Sequence, residues 1–147
     1  MNYDDELKWN KYRDLCEVYK NLLRQSWFPT KRRAFSVAVK KAYPSFYITA
    51  DYCAKMFRWI ESDNPRLKSM MPLTRKKLDY LHARYIEIHL DNPELSKIEI
   101  CERIVNERAP ELYMTGDSAY NFYIDMRKKK LLLDQLKVEQ HTNNTNK

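Results

Sequence analysis

Two aspartates, two histidines and three cysteines are the residues of this chain best suited to chemistry, and their spacing decides what they can do. Asp51 and Asp117 sit at the ends of matching stretches, PSFYITAD (44–51) and PELYMTGD (110–117). The sequence supplies neither with the partner that a general acid or base needs. Each stretch reads instead as a turn and a cap: the proline stops one helix, the threonine caps the next, and the aspartate faces the positive end of its dipole. His82 and His89 are seven residues apart on one helix, which is two turns and beyond the i,i+4 spacing of a metal pair. Cys16, Cys53 and Cys101 are odd in number and form no CxxC pair, so they frame neither disulfides nor zinc. They fall among apolar helical positions and are expected to be small buried residues in a reducing compartment. With no glycine-rich phosphate loop and no GxSxG elbow, a non-enzymatic protein without cofactor or metal is expected.

The remaining candidates are cations. Lys and Arg number 27 against 20 Asp and Glu, a formal charge of +7 and a pI of about 9.2. Residues 1–68 hold 14 basic and 8 acidic side chains; residues 69–147 hold 13 and 12. The contrast sharpens between 30–60, with Lys31, Arg32, Arg33, Lys40, Lys41, Lys55 and Arg58 against Asp51 alone, and 96–126, with three basic and six acidic residues. Such a bias speaks for an anionic partner or for solubility alone.

The elements that must position these charges repeat. Residues 11–60 laid on 77–126 without a gap give nine identities in fifty pairs, among them Lys11/Lys77, Tyr19/Tyr85, Pro44/Pro110, Tyr47/Tyr113 and Thr49/Thr115. An ungapped repeat of this kind marks one structural unit used twice. Apolar spacing predicts helices over 5–24, 31–42 and 50–61, then from Thr74 to about Leu90, over 97–108, and from Thr115 on through RKKKLLLDQLKVEQ. Thr30, Thr49, Thr74, Ser96 and Thr115 are the expected N-caps. A single glycine and many helix formers exclude an all-β fold. The expectation is an all-α protein: a basic three-helix unit over 5–64, an acidic-faced one over 70–138 with its last helix extended, and a disordered polar tail over 139–147. The acidic, polar start MNYDDELKW is no targeting signal, and no apolar run approaches spanning length, so no membrane contact and a cytoplasmic location are expected.

Three helices in roughly 60 residues, the last two joined by a short bend, resemble the trihelical, homeodomain-like helix-turn-helix domains. Small basic proteins of this kind also include the small terminase subunits of phages and regulators of mobile elements. The resemblance rests on helix order, spacing and caps over 5–61 and 72–130; the bend is longer than the family's turn and lacks its glycine. It implies double-stranded DNA as partner, with the third helix of the basic unit in the major groove. Tyr52, Lys55, Arg58 and Trp59 would then form the outward face, Lys55 and Arg58 reaching guanine edges or phosphates. Lys31, Arg32 and Arg33, at a helix start, and Lys40 and Lys41 would hold phosphates. The alternative is a helical adaptor or structural protein. The second unit and the C-terminal helix would bind a protein or a second copy, Leu131–Leu133 either docking back on the core or associating.

Overall fold

The computed structural model describes residues 3–145, and the side chains of residues 5–140. Among the described residues six α-helices account for the architecture: α1 (Tyr3–Gln25), α2 (Lys31–Ala38), α3 (Ala50–Glu61), α4 (Pro72–Asp91), α5 (Lys97–Ile104) and α6 (Gly116–Thr145), with a 3-10 turn at Pro65–Ser69. No named strand occurs among the described residues, and the protein is all-α. Local chemistry sets most boundaries. The side chains of Thr30, Thr49, Ser96 and Thr115 each accept a hydrogen bond from the backbone N–H three residues on, at 3.0–3.2 Å, which satisfies an orphan donor of the first turn.

Four boundaries differ from expectation. α2 and α5 are shorter: they stop at Ala38 and Ile104 instead of Ala42 and Arg108. Beyond them the bonding tightens to i→i−3, as in Lys40 N to Val37 O and Asn106 N to Arg103 O. α4 begins at Pro72, so Thr74 lies inside the helix and caps nothing; proline at the first position is already set for helical φ. α6 is helical to Thr145, so the tail expected from residue 139 continues the helix, and residues 146 and 147 lie outside the described residues.

The packing does not follow helix order. α1 and α2 pack with α6, while α4 and α5 pack with α3. The boundaries expected at 5–64 and 70–138 therefore divide the chain in sequence, whereas in space each half lends its third helix to the other. The crossing segments meet where Tyr43 and Ala109, 66 residues apart, donate their N–H groups to each other's carbonyls at 2.9 and 2.7 Å. Phe46 N donates to Val105 O at 3.4 Å, and Leu112 N to Val39 O at 2.9 Å. Moving the donor forward by 66 and the acceptor back by 66 turns one bond of this pair into the other. The same shift relates the bounds of α2 to those of α5 and the starts of α3 and α6, and it relates Tyr47 to Tyr113, which share a left-handed backbone at φ 57° and 58°. The geometry is that of a local two-fold axis between Tyr43 and Ala109.

A left-handed non-glycine residue costs about 1–3 kcal/mol, and here fixed contacts hold it. The Tyr47 hydroxyl donates to Asp14 Oδ2 at 2.6 Å, and Tyr113 is buried with its ring 6.2 Å from Phe46. Burial and the Asp14 carboxylate push the Tyr47 phenol well above its ordinary value.

One core joins the two halves. Phe35 of α2, fully buried, stacks on Tyr19 at 4.5 Å and meets Tyr120 and Tyr123 of α6 at 5.6 and 5.1 Å. At the equivalent place in α5 stands Cys101, near Cys53 of α3; both are buried, and the Cys101 thiol together with burial pushes the Cys53 thiol up. Cys16 departs from expectation and is only half-buried.

The chain's one glycine marks a close approach of α6 to α2. A Cβ on Gly116 would lie 2.8 Å from Ser36 Cα and 2.9 Å from Ser36 N, distances only a backbone shift could relieve. Gly116→Ala is expected to destabilise the protein by about 1–3 kcal/mol, read as a lowered midpoint in thermal unfolding; an unchanged midpoint would contradict this contact.

Candidate nucleic-acid interface

α3 presents its cations as helix geometry requires. Cys53, Ala54, Met56 and Phe57 are buried against the other half, which turns Tyr52, Lys55 and Arg58 outward and leaves Trp59 half-buried. The Lys55 ammonium lies 5.3 Å from the Trp59 ring centroid, and the Arg66 guanidinium 5.5 Å from it. Such contacts are worth about 0.5–1 kcal/mol when exposed and keep both cations at the surface. Arg66 is absent from the candidates read in the sequence. Its signal was the Asn64–Pro65 pair, because Asn64 Oδ1 caps the 3-10 turn by accepting from Arg66 N at 2.9 Å and so turns the chain back toward α3.

Lys31, Arg32 and Arg33 are exposed on the first turn of α2. Arg32 is engaged: it donates to Asp117 Oδ1 at 3.0 Å and lies 4.8 Å from the Tyr120 ring, both on α6. Lys40 stands 3.9 Å from Glu111, whose other oxygen accepts from Lys76 at 2.8 Å. Lys41 is exposed.

The helix exchange splits the nine candidates into two sets. Tyr52, Lys55, Arg58 and Trp59 lie on α3, beside α4 and α5; Lys31, Arg32 and Arg33 lie on α2, beside α6. Lys40 and Lys41 follow α2 toward the crossing. The single basic unit expected from the sequence becomes two basic surfaces. On α6 the positions equivalent to Tyr52, Lys55, Arg58 and Trp59 are Ser118, Asn121, Ile124 and Asp125, which carry no cation. Further along α6, Arg127, Lys128, Lys129 and Lys130 are all exposed. Leu131, Leu132, Leu133 and Leu136 follow with 46–60% of their surface exposed, so this part of α6 does not dock back on the core.

Among the described residues no three His, Cys, Asp or Glu side chains are arranged to hold a metal ion. His82 instead lies 3.4 Å from Glu61 and its ring stacks with Tyr85, which also stacks with His89. Also among the described residues, no helix is long and apolar enough to cross a membrane. No protein-family model matches the chain, and no curated protein or solved structure matches it either.

Proposed function

We propose that this chain is a non-enzymatic protein that binds double-stranded DNA, with the outward face of α3 as its principal contact. One observation carries the reading. Of the seven candidate cations, Arg32 and Lys40 approach carboxylates, while Lys31, Arg33, Lys41, Lys55 and Arg58 are exposed with no ion-pair partner among the described residues. Five uncompensated cations, four on the short, capped α2 and α3 and Lys41 just beyond α2, suit phosphate oxygens, which position a protein on duplex DNA without reading its sequence. A cytoplasmic setting in a phage or mobile element, serving packaging or regulation, belongs to the same proposal.

The test is anisotropy of a labelled random-sequence duplex titrated at several salt concentrations. Affinity is expected to fall steeply with salt, and Lys55→Ala with Arg58→Ala to reduce the log–log slope by about 2, roughly one unit for each phosphate contact removed. Absence of binding at low salt would overturn the reading in favour of a helical adaptor, for which the exposed leucines of α6 supply an apolar contact.

A further inference from the structure

The local two-fold allows a comparison of the protein with itself. Between α4 and the end of α3 the chain turns back on itself. α3 stops at Glu61, Asp63 takes a left-handed turn at φ 52°, and the 3-10 turn buries Leu67. Glu61 locks this end by accepting from Lys97 Nζ at 2.6 Å and by facing His82.

Between α1 and α6 the same place is open. Here α6 runs straight on through Lys128, Lys129 and Lys130, the positions equivalent to Ser62, Asp63 and Asn64. Leu133, the counterpart of Leu67, therefore stays at the rim, 46% exposed. What remains is a cleft of about 570 Å3, within the range of roughly 300–1,000 Å3 typical of sites that take a small molecule.

The lining is inverted in charge as well as open. Arg127 stands where Glu61 stands, so Cys16, at the position matching His82, has a cation near it instead of a carboxylate. Arg13 replaces Asp79, Lys20 replaces Ile86, Lys130 replaces Asn64 and Lys137 replaces Met71. Glu17 and Asp134 are the acids that line the cleft against these five cations. Its aromatic wall runs from Trp9, edge-on to Tyr12 at 6.0 Å, to Tyr123, 6.0 Å from Tyr12. Trp9 and Tyr12 occupy the places of Arg75 and Leu78.

We propose that this cleft binds an unpaired nucleotide of a single-stranded nucleic acid, its base against Trp9, Tyr12 and Tyr123 and its phosphates against Lys20, Arg127 and Lys130. The assignment rests on the nucleic-acid reading above and gives it a second, chemically distinct site. A cationic groove with aromatic faces is the arrangement that tracks a single strand, because every base has a face to stack while duplexed bases are hidden. A second copy of the chain is disfavoured as occupant, since its own α6 would bring four further cations, Arg127–Lys130, into a cleft already positive.

The test uses the full chain with a labelled thymidine strand of about ten nucleotides, the size range of one single-strand site, beside a blunt duplex. The single strand is expected to bind, and both Trp9→Ala and Arg127→Glu to weaken it by about tenfold, the loss usual for one stacked base. Both variants should keep their far-UV helicity. Lys55→Ala with Arg58→Ala should leave single-strand binding unchanged. A strand carrying 2-aminopurine should lose fluorescence on binding the native chain and not the Trp9→Ala variant, a stacking signature that charge alone does not produce. Duplex binding without single-strand binding would overturn the cleft assignment and leave the α3 reading standing; binding of neither would overturn both. Displacement of the strand by poly-glutamate as readily as by unlabelled strand would also overturn it, since the cleft would then recognise charge alone.

Discussion

Residues 1–68 expressed alone are expected to give a chain without a cooperative thermal transition, and residues 69–147 alone to behave alike. Mixing the two is expected to restore the helical signal and one sedimenting species of full mass. The reason lies in which aromatic rings meet. Phe57 of α3 packs at 5.1 Å on both His82 and Tyr85 of α4, and Phe35 of α2 meets Tyr120 and Tyr123 of α6. Each half alone would expose these rings, and its third helix would lose the surface that buries Cys53, Ala54, Met56 and Phe57, or Ala119 and Met126. Burying a Met or Phe side chain contributes about 1.5–3 kcal/mol, so exposing Met56 and Phe57 together removes about 3–6 kcal/mol, a large part of the usual stability of a small domain, about 5–15 kcal/mol. Circular dichroism and sedimentation velocity check this. A folded monomer of residues 1–68 would show that α3 can close on its own α1 and α2, and would refute the exchange as a requirement of folding.

Replacing Lys77 by methionine is expected to raise stability near neutral pH. Burial, with Lys11 nearby, lowers the Lys77 ammonium from 10.5 to about 8. Lys11 is lowered as well, by burial and by Lys8, and its ammonium lies 4.7 Å from the Phe122 ring. No carboxylate pairs with either lysine among the described residues. Below pH 8 the folded protein therefore holds a charge its surroundings disfavour. Between pH 8 and 10.5 the unfolded chain keeps the proton and the folded one releases it, so stability rises with pH across this window. A shift of this size corresponds to about 3 kcal/mol, and Lys77→Met is expected to recover about 1–3 kcal/mol at pH 7. The gain over the native chain should shrink between pH 8 and 10. Above pH 10 the raised phenols of Tyr12, Tyr43, Tyr47 and Tyr113 act the other way, since the unfolded tyrosines ionise first. Chemical denaturation of both proteins at a series of pH values checks it; a constant difference from pH 7 to 10 would refute the assignment to Lys77.

Features governed by neighbours in the chain were legible in the sequence. Thr30, Thr49, Ser96 and Thr115 mark helix starts because a cap bonds to a backbone group three residues away, and the buried face of α3 follows from its apolar spacing. Features governed by distant partners were not. Periodicity tells which face of α3 is buried and is silent on what covers it; Cys53 and Phe57 would look the same packed on α1 or on α4. Tyr47 and Tyr113 adopt a left-handed backbone without a glycine to announce it, because Asp14 in one half and Phe46 in the other supply what holds them. The candidate interface was split for the same reason. Lys31–Arg33 and Lys55–Arg58 belong to the same sequence half, yet the crossing at Tyr43 sends them to different helical sets. The cleft beside α6 left no local trace, since it exists only by contrast with the closed place beside α3.

The crossing also sets a timetable for the ribosome. α3 is complete at Glu61, but the helices that cover it end only with Ile104, 43 residues later. At about 5–20 residues per second that interval lasts roughly 2–9 s. Throughout it the nascent chain carries an apolar helical face with nowhere to rest. Slowing translation over the codons for α4 and α5 lengthens this exposure, whereas the same delay inside α1 does not. Synthesis rate therefore bears on the yield of soluble protein at one stretch of the message and not at another.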